Sequence, residues 1–291
     1  MIKYIKFARL DHWLKGIVIF LPIIFSGKII EYNLFIILIK TFYLFGIVSS
    51  LSYCINDLVD NKIDKNHKIK KYKPIASGII KIKSAIIFCI FLLILIITSF
   101  ILINIDPKIK FSIITYFFIS LIYTLYLKKI IFFEVFLVSS LYQLRLIAGC
   151  FSIDVMPSFL MSTQIYFITT LIFFCKRYSD IFLYNKNNDN VSPYYKKDQK
   201  LIKLIYTFFF LSIFNYFYYS FISANINIFQ IIKILLLMSL VIIGLYEFIN
   251  KSIKFHMASD PVKLIINSII IQTTFILWIF VEIINIYIIK W

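Results

Sequence analysis

Long apolar runs separated by short polar clusters extend along the whole sequence. A helix needs about 20 largely apolar residues to cross the hydrocarbon core of a membrane, and proline and glycine are tolerated within such helices. The pattern therefore predicts an all-α, polytopic membrane protein with about nine transmembrane helices. The predicted spans are approximately 14–30, 34–55, 82–105, 110–127, 131–151, 157–176, 201–222, 228–249 and 262–289.

Lysine and arginine residues are concentrated on one side of these spans. Short cytoplasmic loops of membrane proteins carry an excess of Lys and Arg. With the N-terminus in the cytoplasm, 24 of the 31 basic residues fall in cytoplasmic segments. We therefore expect one integral membrane domain over residues 1–291, in a bacterial inner membrane, with the polar loops 56–81 and 177–200 on the cytoplasmic side.

The composition agrees with a membrane location. Hydrophobic residues make up 61% of the chain and charged residues only 15%, which is unusual for a soluble domain. The net charge of +17 could suggest a nucleic-acid partner, but the basic residues form short clusters between apolar runs. We therefore expect a bilayer around the protein and no nucleic acid bound to it.

The second predicted span ends in a group of acidic side chains. If the helix continues past residue 55, Asp57, Asp60 and Asp64 share one face, with Asn56 at its margin. Carboxylates on one face repel each other unless a cation lies between them, and oxygen ligands suit Mg²⁺. The alternative is a solvated helix end that nearby lysines neutralise. We predict a Mg²⁺ site that binds a diphosphate.

Basic side chains follow in the next loop. A lysine run beside a span ordinarily sets topology and attracts lipid headgroups. Next to a Mg²⁺ site it can also bind phosphate, because ammonium groups attract anions as point charges. His67 is a candidate ligand or base, although a solvated loop histidine is the commoner case. The lysines concerned are Lys68, Lys70, Lys71 and Lys73.

Arg145 lies inside the fifth predicted span. An arginine at the centre of a membrane helix costs about 2.5–3.5 kcal/mol on insertion scales, so it normally faces a polar cavity. Glu134, eleven residues earlier, falls within roughly 20° of the same helix face. Either Arg145 pairs with another helix or it holds a phosphate, for which its permanent charge and two-oxygen geometry are suited.

A second basic cluster, Lys176-Arg177-Tyr178-Ser179-Asp180, closes the sixth predicted span. Spacings of three and four residues allow an intrahelical pair with Asp180. A phosphate clamp is the alternative. The chain has three arginines, Arg9, Arg145 and Arg177. Their rarity beside abundant lysine indicates positions where lysine would not serve, which favours phosphate binding.

Taken together, these motifs resemble the UbiA-type superfamily of intramembrane prenyltransferases. The first Asp-rich motif of that superfamily, N-D-x-x-D-x-x-x-D, is matched by Asn56, Asp57, Asp60 and Asp64. The chain is most similar to the decaprenyl-phosphate phosphoribosyltransferase branch. The matching stretches are Arg9–Lys15 with Trp13, Lys70–Gly78, Val138–Gly149 and Lys176–Tyr178.

The chain also departs from the family pattern. Aromatic-prenylating members carry a second Asp-rich motif after the sixth span, where this chain has a basic cluster with one acid, Asp180. The usual Pro and Asn beside the tryptophan are here Leu10 and Gly16, and a usual Arg before the loop proline is Lys73. The basic cluster argues against a second Mg²⁺ and for a phosphate that the protein contacts directly.

The resemblance implies a bundle around a central cavity open to the cytoplasm and to the bilayer. It implies a pentosyltransferase that moves 5-phosphoribosyl from phosphoribosyl pyrophosphate to a polyprenyl phosphate, with Mg²⁺ as cofactor, in cell-envelope precursor synthesis. The implied catalytic and metal-binding residues are Asp57, Asp60 and Asp64. The implied substrate-binding residues are Asn56, Lys15, Lys70, Lys71, Lys73, Tyr142, Arg145, Lys176, Arg177 and Tyr178.

Two other functions compete with this one. An aromatic prenyltransferase would share the first metal motif but needs a second carboxylate cluster, which the sequence lacks. A transporter or flippase would use Arg145 and Glu134 to line a permeation path. Three acids at the cytoplasmic end of a helix are poorly placed for a transport site at the middle of the membrane.

Overall fold

The structure is a computed structural model that describes residues 2–66, 70–130, 132–185, 199–222 and 228–289. Within these ranges every regular element is helical, as the apolar pattern predicts. Two candidate residues of the first polar loop, His67 and Lys68, lie outside the described residues. Positions 186–198 of the second polar loop lie outside them as well.

The α-helices, in chain order, are α1 (Ile2–Ala8), α2 (Leu21–Phe25), α3 (Tyr32–Lys65), α4 (Ile82–Leu102), α5 (Pro107–Leu125), α6 (Phe133–Ser152), α7 (Phe159–Asn185), α8 (Gln199–Ile222), α9 (Ile228–Lys254), α10 (Pro261–Ile266) and α11 (Ile269–Ile283). Short 3₁₀ helices occupy Leu10–Phe20, Lys70–Tyr72, Leu127–Lys129 and Met257–Ser259, and a π-helix at Ile284–Ile289 continues α11.

Eight of these helices, α3 to α9 and α11, are long and apolar enough to cross a membrane. The protein is therefore an integral membrane protein, although the expected count of nine spans is not confirmed within the described residues. The predicted span 14–30 falls instead on the 3₁₀ helix and α2, of 11 and 5 residues. Because a 3₁₀ helix rises about 2.0 Å per residue, the two together extend about 30 Å, close to the thickness of the hydrocarbon core.

Helix α3 is the longest element and carries the acidic motif. Its 34 residues extend about 51 Å, well beyond the hydrocarbon thickness, so its C-terminal part has room to leave the membrane. Lys62 and Lys65 lie in its last turn, where their positive charges interact favourably with the negative end of the helix dipole. The helix thus continues past residue 55, which is the condition under which the three aspartates share a face.

The chain divides into two compact units. The first comprises Met1–Leu137 and Leu141–Pro157, and in it α3 packs against α4, α5 and the 3₁₀ helix Leu10–Phe20. Phe45 and Ile113 are among its buried core residues. Gly149 of α6 faces the backbone of Ile19, and a Cβ at this position would overlap the Ile19 carbonyl oxygen.

The second unit comprises Val138–Ser140 and Ser158–Trp291. Here α7 packs against α8, and α9 against α11. Asn215 of α8 joins two of these helices, because its amide donates to the Leu160 carbonyl at 3.0 Å and to Gln164 at 2.9 Å, while its oxygen accepts from Thr163 at 3.0 Å. Such contacts satisfy polar groups that lipid cannot.

Candidate active site

The acidic motif forms one face of α3, as its spacing predicts. Asp57 and Asp64 are buried, each with 3% of its surface exposed, and the Asp60 side chain is about one-fifth exposed. Seven residues amount to nearly two turns, so the two buried carboxylates project to the same side of the helix. Charged groups are tolerated in such surroundings when they are paired and hydrogen-bonded.

Three cations from other segments neutralise the three carboxylates. Arg9 Nη2 donates to Asp57 Oδ1 at 2.7 Å. Lys73 Nζ donates both to Asp57 Oδ1 at 2.9 Å and to Asp64 Oδ2 at 2.7 Å. Lys128 Nζ donates to Asp60 Oδ1. Within the described part of the chain, the acidic face is therefore balanced one cation to one carboxylate.

The backbone places these cations by local turns. Arg9 lies between α1 and the following 3₁₀ helix with φ 50°, a left-handed conformation that turns the chain sharply. Lys73 follows the 3₁₀ helix Lys70–Tyr72, and its carbonyl accepts from the Ser77 backbone N–H at 2.9 Å. Gly78, with φ 80°, completes this loop in a conformation that glycine adopts without strain.

The remaining predicted residues of the loop and the first span are less enclosed. Lys70 and Lys71 are exposed, and Lys71 Nζ lies 5.2 Å from the Tyr72 ring centroid. Lys15 Nζ lies 3.4 Å from the Tyr53 hydroxyl. Asn56 is half-buried. The substrate-binding roles of these residues stay predictions.

Arg145 is buried, with 3% of its surface exposed, and each of its described partners is neutral. Its Nη2 donates to the Tyr116 hydroxyl at 2.8 Å and to Ser49 Oγ at 3.2 Å, and Nη1 approaches the Leu141 carbonyl at 3.4 Å. The guanidinium also lies 4.6 and 5.2 Å from the ring centroids of Tyr116 and Tyr142. Aromatic faces attract a cation but do not cancel its charge.

Arg145 does contact other helices, since Ser49 belongs to α3 and Tyr116 to α5. The contact with another helix, which was one of the two predicted roles of Arg145, is thus present. Its partners are hydroxyl groups and carry no charge. Glu134 is buried on the same helix, about 16 Å away along the axis, which is too far for a direct ion pair.

The second basic cluster lies on α7 in the second unit. Arg177 Nη1 lies 3.4 Å from Asp180 Oδ2, which is the intrahelical pair that the spacing allows. The Tyr178 ring lies 5.9 Å from the ring of His256, centroid to centroid. Lys176 is half-buried. The phosphate-binding role of this cluster stays a prediction.

Sequence reasoning missed several side chains of the acidic face. The largest omission is Asn61, which is 7% exposed and lies between Asp57 and Asp64 on α3. Its position, four residues after Asp57 and three before Asp64, could have identified it from the sequence as a member of the same helix face. Lys128, from the 3₁₀ helix Leu127–Lys129, had no such signal, because its contact with Asp60 spans 68 residues of sequence.

The acidic face has some, but not all, of the features of a Mg²⁺ site. Among the described residues no three His, Cys, Asp or Glu side chains converge closely enough to hold a metal ion. Asp57 and Asp64 nevertheless direct oxygens at one point, the Lys73 ammonium. Mg²⁺ in phosphate-binding sites usually takes one or two carboxylates and completes its shell with water and phosphate, so this donor set fits it.

The chain matches the UbiA prenyltransferase family over residues 19–256. It is 31% identical over 144 residues to the uncharacterized protein y4nM of Sinorhizobium fredii, covering 48% of this chain and 27% of that protein. It is 27% identical over 149 residues to decaprenyl-phosphate phosphoribosyltransferase of Mycobacterium tuberculosis, covering 50% of this chain and 49% of that protein. The match thus spans half or less of these relatives' length.

The fold is similar to that of a UbiA homolog from Archaeoglobus fulgidus whose structure was solved with GPP and Mg²⁺ bound. The TM-score is 0.68, with 97% of this chain and 100% of that chain covered, at 18% sequence identity. At this level of identity the likeness establishes the fold.

Proposed function

Because the chain belongs to the UbiA prenyltransferase family, we propose that it transfers a 5-phosphoribosyl group from phosphoribosyl pyrophosphate to a polyprenyl phosphate. The bond between the sugar C1 and the pyrophosphate oxygen breaks, and pyrophosphate leaves with the electron pair. An oxygen of the lipid phosphate forms the new bond to C1. This acceptor is already ionised near pH 7, so the reaction needs no strong general base.

The buried charge of Arg145 carries the proposal. A guanidinium with neutral partners in an apolar span is costly, and an anionic ligand would remove much of that cost. The planar fork of its N–H groups suits two phosphate oxygens at once. Both substrates of the proposed reaction carry a phosphate that survives the transfer, so either one could be the anion that Arg145 binds.

The leaving group would bind at the acidic face. Mg²⁺ held there by Asp57 and Asp64, with Asp60 on the same helix face, would supply charge neutralisation for pyrophosphate. Lys73, which contacts both Asp57 and Asp64, would donate to the pyrophosphate oxygens as the sugar carbon gains positive character. Lys70 and Lys71 are exposed in the same loop and would attract the incoming donor.

The basic cluster on α7 is suited to bind a phosphate rather than a second metal ion. Its single carboxylate, Asp180, is already engaged by Arg177. Lys176 and Arg177 would bind the donor's 5-phosphate or the phosphate of the lipid, with Tyr178 beside them. The relative named as a decaprenyl-phosphate phosphoribosyltransferase supports this choice of substrates, at 27% identity over half of the chain.

A membrane assay tests the proposal. Membranes containing the protein are incubated with labelled phosphoribosyl pyrophosphate, a polyprenyl phosphate and Mg²⁺, and lipids are extracted. We expect a labelled lipid that is absent with the Asp60→Asn variant and after chelation of Mg²⁺. Transfer of a prenyl group from its diphosphate to a phenolic acid, with no sugar transfer, would instead show the aromatic prenyltransferase activity and overturn the proposal.

A further inference from the structure

Asn61 has a buried hydrogen-bond acceptor that the protein leaves unused. Its Oδ1 atom is enclosed and has no hydrogen-bond partner in the described part of the chain. Most buried side-chain polar atoms in folded proteins have a partner, because an unsatisfied one loses its hydration without compensation. An acceptor retained at such a cost indicates a group that arrives from outside the protein.

The position of Asn61 places this acceptor within the candidate active site. It follows Asp57 by four residues and precedes Asp64 by three, so all three side chains project from the same face of α3. Like both aspartates, Asn61 is buried. A half-turn of the amide exchanges its oxygen and nitrogen, so the acceptor can turn toward a bound group.

The charges around Asn61 indicate what that group is. The neighbouring carboxylates are already balanced by Arg9, Lys73 and Lys128. The carbonyl oxygen of an amide is neutral and accepts hydrogen bonds. A neutral acceptor among balanced charges suits a hydroxyl group better than a further ion. Of the donors that this family could use, a phosphorylated pentose carries hydroxyls, whereas the chain of a prenyl diphosphate carries none.

We infer that Asn61 Oδ1 accepts a hydrogen bond from a hydroxyl of the pentose donor and so selects a sugar over an isoprenoid. The inference rests on the proposed function, because it concerns the donor of that reaction. It assigns Asn61 a part in specificity that is separate from the aspartates, each of which contacts a cation through one oxygen.

Comparing two proteins, each assayed with three donors, tests the inference. Asn61→Leu and the unchanged protein are each assayed with phosphoribosyl pyrophosphate and with its 2-deoxy and 3-deoxy analogues. We expect the unchanged protein to use one of the analogues roughly tenfold less well, the worth of one neutral hydrogen bond. Asn61→Leu should use that analogue and the full substrate equally, because the acceptor is gone.

Stability without ligand provides a second readout. Asn61→Leu should leave the apparent Tm of the ligand-free protein unchanged or raise it, since it removes an unsatisfied polar atom. The matched control is Asn215→Leu, which breaks three hydrogen bonds of an equally buried asparagine on α8. That variant should lower the apparent Tm and leave the discrimination between full and deoxy donors intact.

Two outcomes would overturn the inference while the proposed function stands. One is sugar transfer in which the unchanged protein does not discriminate against either analogue, which means that Asn61 meets water only. The other is a lower apparent Tm for ligand-free Asn61→Leu, which assigns the amide a structural role. Absence of any sugar transfer by the unchanged protein would refute the proposed function itself, and the two failures are therefore distinguishable.

Discussion

Two of the three arginines, Arg9 and Arg145, occupy positions that use what lysine lacks. Arg9 combines an ion pair to Asp57 with a position 5.2 Å above the Tyr53 ring centroid, and planar guanidinium groups suit both contacts. Arg145 donates to three oxygens in different directions. Ammonium groups could not reproduce this geometry. These contacts agree with the interpretation of scarce arginine at two of the three positions, and at Arg177 that interpretation stays a prediction.

Replacing Arg145 with methionine should strongly reduce activity without weakening the fold. The change removes a buried charge, and Ser49 Oγ and the Tyr116 hydroxyl remain satisfied because they lie 3.1 Å from each other. We expect the free energy of unfolding to stay equal or rise by about 1–3 kcal/mol, and transfer to fall by about 100-fold or more. Thermal unfolding in detergent and the membrane assay measure the two effects.

Arg145→Lys is the matched control, because it keeps the positive charge but lacks the planar set of N–H donors of the guanidinium group. It should retain more activity than Arg145→Met and less than the unchanged protein. A large loss of stability in Arg145→Met would mean that the arginine is structural and would contradict the role assigned to it.

Replacing Lys73 with methionine should destabilise the protein in a way that Mg²⁺ corrects. The change leaves the buried Asp57 and Asp64 carboxylates with one cation fewer, which costs about 3–5 kcal/mol for a buried pair. We expect Mg²⁺ to raise the apparent Tm of this variant more than that of the unchanged protein.

Lys71→Met, an exposed change in the same loop, should alter the apparent Tm little with or without Mg²⁺. An equal response to Mg²⁺ in all three proteins would show that the ion does not bind at the acidic face.

The sequence predicted the acidic face because its members lie within a few residues of one another on one helix. Spacing along a helix fixes their common side once the helix is assumed. The counter-charges were not predictable in the same way. Arg9 and Lys128 reach Asp57 and Asp60 from 48 and 68 residues away, and only the packing of the first unit brings them together.

Among the helices, the close packing of the first unit depends on small residues. Gly149 of α6 lies so near the 3₁₀ helix Leu10–Phe20 that a Cβ would overlap the Ile19 carbonyl oxygen. Gly46 of α3 similarly faces the Trp13 ring, with its Cβ position 2.5 Å from Cδ2. Small residues let membrane helices approach closely and gain packing energy that the bilayer does not provide.

Gly149→Ala should therefore destabilise the protein by about 1–3 kcal/mol, since a backbone carbonyl cannot move aside as a side chain can. Gly244→Ala is the control. There the new Cβ would meet the Thr274 hydroxyl at 2.9 Å, and rotation of that side chain relieves the contact. Comparable apparent Tm values for the two variants would contradict the close approach of α6 and Ile19.

The apolar pattern predicted nine spans, of which eight fall on helices long and apolar enough to cross a membrane, while 14–30 falls on the 3₁₀ helix and α2. Hydropathy reports how long a run is apolar but not which hydrogen bonds its backbone makes. The 3₁₀ helix Leu10–Phe20 packs against α3, and the short helix α2 that follows has Pro22 in its first turn and ends just before Ser26 and Gly27, the latter with a φ of 74°. Helix α3 extends beyond the predicted span 34–55 to Lys65, because its last turns are polar yet helical.

For the protein in its membrane, the excess of basic residues in alternate loops predicts a cytoplasmic acidic face. Single cysteines test this orientation after the four native ones are replaced. A membrane-impermeant thiol reagent added to intact cells should leave Lys71→Cys unlabelled and label Lys108→Cys, since both positions are exposed at opposite predicted sides. Labelling of Lys71→Cys in intact cells would reverse the orientation and exclude entry of the donor from the cytoplasm.

The most direct measurement follows the atoms of the donor. Phosphoribosyl pyrophosphate is prepared with ¹⁴C in the ribose and ³²P in the 5-phosphate, and is incubated with the protein, Mg²⁺ and a polyprenyl phosphate. The proposed transfer predicts a lipid that carries both labels in equal amounts, with one pyrophosphate released per lipid formed. A lipid fraction without either label, in a preparation that moves an isoprenoid to an aromatic acceptor, would contradict it.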